Sequence, residues 1–174
     1  MKEIVDTSRI EKIPVADTMQ KYYNYREQMG RLKKSLKNQF YLEAIFIEYS
    51  IMEDRLESIL RHAGVWENML EKERKHKNRD EVFIGIDAKI RKVKELSTRK
   101  PSLENRYFSD ELMDSIRIWK DDRNPLTHSL LKLQLHTKDL EDIAFEGEDI
   151  AKKLCSKSTS YRRMIDKDRQ SIDL

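Results

Sequence analysis

The stretch from Gln39 to Ala63 constrains the fold more than any other part of the chain. Phe40, Ala44, Ile47 and Ile51 recur at three- and four-residue steps, and Ile45, Met52, Leu56, Ile59, Leu60 and Ala63 widen the stripe. Apolar residues at this spacing share one face of an α-helix, whereas a half-buried strand needs strict alternation. A face this broad must touch more than one neighbour, which places this helix at the centre of a bundle. Gly64 is the expected C-terminal stop.

The flanking segments read as further helices. Residues 1–14 are polar, end at Pro14 and read as a loosely held arm. A first helix is expected from Asp17, as N-cap, to about Asn38, with Val15, Met19, Tyr22, Met29, Leu32 and Leu36 on one face. Residues 67–79 are dominated by charge and suggest a short exposed element or loop. Asp80 is a candidate cap for a helix running to Leu96, with Val82, Ile86, Ile90 and Val93 turned inward, and Lys100-Pro101 ends it. Ser109 opens the next helix, which aims Leu112, Ile116 and Trp119 at the core. A segment over NPLTHSLLKLQL follows, then a last helix from about Thr137 to beyond Cys155, with fraying expected over residues 161–174. Only four Gly and three Pro interrupt 174 residues, too few turn formers for an all-β chain. The expected architecture is all-α: one antiparallel bundle of five to six helices over residues 15–160.

Charge and composition narrow the function. Thirty-five basic residues face 32 acidic ones, a net charge of +3, so a polyanion site must be local rather than spread over the surface. The single Cys155 leaves no intramolecular disulfide and suits a reducing cytoplasm. No long apolar run and no secretory leader is apparent, so a cytoplasmic protein without membrane contact is expected. Glu53, Asp54 and Glu57 lack a histidine at di-metal spacing and read as a solvated or interface face. His62, His76 and His136 have no zinc spacing with Cys155, and no phosphate-binding glycine loop is present; neither metal nor cofactor is expected. Tyr22, Tyr23 and Tyr25 read as core and boundary packing.

One short segment carries chemistry: Trp119-Lys120-Asp121-Asp122-Arg123-Asn124-Pro125-Leu126-Thr127-His128. Arg123 follows Trp119 on the inward stripe, where an unpaired cation is costly. Asn124 is a good N-cap and Pro125 suits a first helical position, so the helix is expected to break and restart there. Across an unbroken helix Arg123 and His128 would point about 140° apart. A break would free them to converge at a helix N-terminus, where backbone N–H groups suit a phosphate.

Arg123-Asn124-Pro125-Leu126-Thr127-His128 resembles the R-N-x-x-x-H form of the Rx4–6H signature of HEPN domains. The order of segments is similar as well, a long central helix well before a late arginine–histidine segment, over residues 15–155. The resemblance implies an all-α bundle that forms a homodimer with the two motifs facing each other. In catalytic members that cleft cleaves RNA without a metal. His128 would then act as general acid or base on the ribose 2′-hydroxyl or the leaving oxygen, a role that suits histidine because it exchanges protons near neutral pH. Arg123 would stabilise charge on the transition state, and Asn124 would orient the pair or bind phosphate. Lys120 and Lys132, close by, are candidates for phosphate contacts; Lys152, Lys153, Lys157, Arg162 and Arg163 are weaker ones. Products would carry a 2′,3′-cyclic phosphate. A toxin or phage-defence role, held in check by an antitoxin or a defence partner, fits this reading. The tyrosine that often follows the histidine by two residues in toxins paired with nucleotidyltransferases is here Leu130, which puts control by its modification in doubt. A non-catalytic HEPN-like module that binds RNA or a protein through the same surface is the alternative.

Overall fold

A computed structural model describes residues 18–79, 82–99, 102–134 and 136–172. The expected arm over residues 1–14, Val15, the Asp17 and Asp80 caps and the Lys100-Pro101 stop lie outside the described residues. The described chain is all-helical: α1 (Thr18–Lys37), α2 (Tyr41–His62), α3 (Trp66–Lys77), α4 (Ile86–Thr98), α5 (Leu103–Tyr107), α6 (Asp110–Ser129) and α7 (Thr137–Ile172). A 3₁₀ turn, Leu130–Lys132, links α6 to α7.

The centre of the bundle is α2, as its broad apolar face requires. Tyr41, Ala44, Ile47, Ile51, Leu56 and Leu60 are all buried, and α2 packs on α1, α3, α4, α6 and α7. Helix α1 runs antiparallel to it: Tyr25 meets Asp54 and Ser35 meets Glu43. Helix α7 makes the most extensive contact and runs parallel, with Tyr41 bonded to Glu141 and Glu48 set against Gly147. Four intervening helices give the chain the length a parallel return needs. The core between α2, α4, α6 and α7 closes on Val93, Met113, Ile116, Trp119, Ala144 and Leu154, none more than 1% exposed.

Local chemistry sets the ends. The hydroxyls of Ser102 and Ser109 accept from the backbone N–H of Asn105 and Leu112, capping α5 and α6. Gly64 stands at φ +71° just past α2, in the left-handed region where glycine carries no steric cost. Gln39 does the same work between α1 and α2 at φ +60°, at a cost glycine would not have.

Four local features differ from the sequence reading. Residues 66–77 form a full helix: Trp66 anchors it in the core, and the pairs Glu71–Lys75 and Glu73–Lys77 staple its exposed face. Helix α4 starts at Ile86 rather than at residue 80, behind Gly85. Helix α6 does not break at Asn124-Pro125; it continues to Ser129 with Pro125 inside, so NPLTHS belongs to α6 and forms no separate helix. Proline there removes one hydrogen bond, to the Asp121 carbonyl, and crowds it at a cost of about 3 kcal/mol. Burial of Trp119 and Leu126, seven residues apart on one face, holds both sides of the proline against the core. Helix α7 runs on to Ile172, past the expected onset of fraying. Tyr161 is 1% exposed, stacks edge-on against Phe108 and donates to Glu104 at 2.6 Å.

Candidate functional site

The site is built around α6 where it crosses α2. Trp119 fixes the helix: its indole is buried and Nε1 donates to the Ile143 carbonyl of α7 at 2.8 Å. One turn later the Arg123 guanidinium carbon lies over the ring of Tyr49 on α2, 4.1 Å from its centroid. Such a contact contributes about 1 kcal/mol and holds the guanidinium plane in one orientation. Arg123 is half-buried, and among the described residues no carboxylate forms an ion pair with it.

That is unexpected for an arginine with so many acids around it. Glu53 and Asp87 both lie close enough to Tyr49 to raise the pKa of its phenol, after burial, which acts most strongly, while Arg123 and Lys120 oppose the shift. Each acid is held by a lysine. Lys89, 3% exposed, sits 3.3 Å from both Glu53 and Glu57 and near the ring of Trp66. Lys120, 7% exposed, holds Asp87 at 2.5 Å and Asp121 at 2.8 Å. Burial disfavours the charge on Lys120, but the bonds to Asp121 and Asp87 outweigh it and raise its pKa. These acids of α2 are partly exposed and already engaged: Glu53 and Glu57 serve Lys89, while Asp54 pairs with Lys21 and Arg55 and accepts from Tyr25. No cluster able to hold a metal occurs among the described residues.

The residues singled out in the sequence are placed as follows. Arg123 and His128 share α6, and because the helix is continuous they point about 140° apart rather than converging. His128 is exposed, with no hydrogen bond to its ring among the described residues. Asn124 lies inside the helix, so it caps nothing, and no free helix N-terminus is available beside Arg123. Lys120 is committed to Asp87 and Asp121 rather than open to a phosphate. Lys132 is exposed in the 3₁₀ turn. Tyr22 and Tyr23 are exposed and Tyr25 is tied into the Asp54–Arg55 network, so only Tyr25 fits the packing role.

Two residues went unnoticed in the sequence. Tyr49 lies on a second face of α2, in register with Leu42, Phe46 and Glu53, and the dominant apolar stripe hides it. Glu48 falls inside the buried stripe, four residues after Ala44 and four before Met52, a placement that signals a constrained acid. It is fully buried, and neither carboxyl oxygen has a hydrogen-bond partner among the described residues. Burial, helped by Glu148, pushes its pKa up to about 9, so it is a neutral acid near pH 7.

A groove of about 490 Å³ between α1 and α2 has Phe46, Ile47 and Ile51 among its lining residues. Its cations are already paired, Lys21 with Asp54 and Arg31 with Glu43, which leaves the Arg123 surface as the better anion site. No helix among the described residues is long and apolar enough to cross a membrane. No family model matches the chain, and no curated protein or solved structure matches it.

Proposed function

We propose that the protein is a metal-independent endoribonuclease of HEPN type, acting as a homodimer whose cleft is lined by α6 of both copies. The observation that carries this reading is Arg123: a half-buried cation, set over Tyr49, whose N–H donors no carboxylate among the described residues claims. Leaving such a group unpaired has a cost that an anionic ligand removes. Within one copy His128 points elsewhere, so a site using both needs a second copy to bring a histidine opposite the arginine. Exposed apolar residues follow His128 directly: Leu130, Leu133 and, at 98% exposure, Leu131. They supply a hydrophobic contact for that second copy.

In the composite cleft, Arg123 stabilises the charge that accumulates on the phosphorus oxygens as the 2′-oxygen attacks. His128 takes the 2′-proton or gives one to the departing 5′-oxygen, leaving a 2′,3′-cyclic phosphate. Asn124, half-buried and next to Arg123 in the chain, and Lys132, exposed in the 3₁₀ turn, supply further phosphate contacts on this reading. A cytoplasmic toxin or phage-defence effector, with a dedicated inhibitor or defence partner, fits such an activity. The test is cleavage of RNA in EDTA by the wild type beside Arg123→Ala and His128→Ala, with the ends of the products analysed. Cyclic phosphate ends from the wild type alone are expected.

A second reading rests on His128 itself. A general base is ordinarily oriented by a further group, and its ring has none among the described residues. If the same surface binds RNA or a protein without cutting, binding survives His128→Ala and falls with Arg123→Ala.

A further inference from the structure

We propose that Tyr49 is the positioning residue of the anion site: its ring holds the Arg123 guanidinium broadside while Lys89 and Lys120 hold the surrounding carboxylates, leaving the arginine's donors for a phosphodiester of RNA. This rests on the nuclease reading and adds to it a residue from another helix and a reason the arginine stays available.

The geometry is specific. The guanidinium carbon of Arg123 lies 4.1 Å from the centroid of Tyr49, and a guanidinium that stacks on a ring keeps its N–H donors in its own plane, open to a further ligand. A lysine or an unsupported arginine would lose that fixed fork. Four of the acids around the ring are engaged by lysines. Glu53 and Glu57 face Lys89, which is enclosed between them and the rings of Trp66 and Phe83. Asp87 and Asp121 converge on the buried Lys120. Two lysines thus hold four carboxylates next to the aromatic platform, and Arg123 remains without an acidic partner among the described residues. An ordinary surface arginine next to Asp121 and Asp122 would be expected to pair with one of them; this one stacks instead. Lys120, expected from the sequence to touch phosphate, acts one step back, by keeping Asp87 and Asp121 away from the arginine.

Tyr49→Leu removes the ring and Tyr49→Phe keeps it; the site is half-exposed, so both variants are compatible with the fold. The first readout needs no activity. The Arg123 Nε–Hε resonance, identified by its loss in Arg123→Lys, should be displaced by the ring current in the wild type and Tyr49→Phe, and relax in Tyr49→Leu. The second is RNA cleavage in EDTA: kcat should fall about tenfold in Tyr49→Leu with KM changed less, and Tyr49→Phe should rescue it. An Arg123 resonance that Tyr49→Leu leaves in place overturns the proposal, whatever the cleavage assay gives. Should the wild type cut no RNA, the nuclease reading fails separately. A 2′-O-methyl RNA oligonucleotide, which cannot be cleaved, then decides for Tyr49: an Arg123 signal that it shifts in the wild type and less in Tyr49→Leu supports the positioning role, and one that it never moves overturns it.

Discussion

Where Glu48 meets Gly147, the packing leaves no room for a β-carbon. One built on Gly147 would stand 2.2 Å from Glu48 Oε2 and 2.7 Å from Trp119 Nε1. The indole is fixed by its bond to Ile143, so it cannot swing away. Gly147→Ala is therefore expected to destabilise the fold by about 2 kcal/mol or more, read as a lower denaturant midpoint at unchanged slope. The acid itself has a pH signature. Unfolded Glu48 ionises near the ordinary 4.5 and the folded group near 9, so between these values the folded state holds a proton that the unfolded state has released. Stability must then fall as pH rises through that window, by at most about 1.4 kcal/mol per pH unit from this group. Glu48→Gln removes the titration. Its melting temperature should gain on the wild type steadily from pH 5 to pH 8.5, and a gap that stays constant with pH would show that Glu48 is not held neutral.

At the scale of the elements, α6 is decided by a contest between proline chemistry and packing. Because the helix is continuous, Pro125→Ala restores the bond to the Asp121 carbonyl and should stabilise the protein by about 2 kcal/mol, allowing for the freedom alanine returns to the unfolded chain. A lower melting temperature would mean that the proline sits at a real break. The α1–α2 turn offers a second test: Gln39→Gly relieves a left-handed glutamine at an exposed site and is expected to raise the melting temperature by about 3 °C. The same contest explains what could be read in advance. The α2 stripe from Ala44 onward, the Gly64 stop and the Ser109 cap are local signals, and each stands where its chemistry predicts, whereas Phe40, expected on that stripe, precedes the helix and is exposed. The Asn124-Pro125 signal is equally strong locally, yet Trp119 and Leu126 outweigh it through contacts with distant segments. Residues 66–77 were obscured by charge, because Trp66 anchors the helix against α2 and α4 residues that local periodicity does not register. Of the site, Arg123 was legible as an arginine misplaced on an inward stripe. Its platform was not, since Tyr49 lies 74 residues earlier and only the crossing of α6 over α2 joins them. The role of Lys120 was hidden for the same reason: its partner Asp87 comes from α4.

On the scale of the whole molecule, a net charge of +3 gives no large excess of cations for a polyanion. RNA held mainly through Arg123 and a few neighbours should bind with a weak salt dependence, the slope of log K against log salt being about −1 to −3 for a single strand. A much steeper slope would indicate a broad basic face instead. On the nuclease reading proposed above, the division of Arg123 and His128 between two directions of one helix makes the assembled dimer, rather than the single chain, the unit of catalysis. A mixture of Arg123→Ala and His128→Ala chains tests that directly, because a heterodimer restores one intact composite site that neither homodimer has. Each variant is assayed alone and mixed, in EDTA, on the same RNA. Cleavage by the mixture but by neither parent, with 2′,3′-cyclic phosphate ends, is the predicted result. A mixture as inactive as its parents, beside an active wild type, would contradict the shared site.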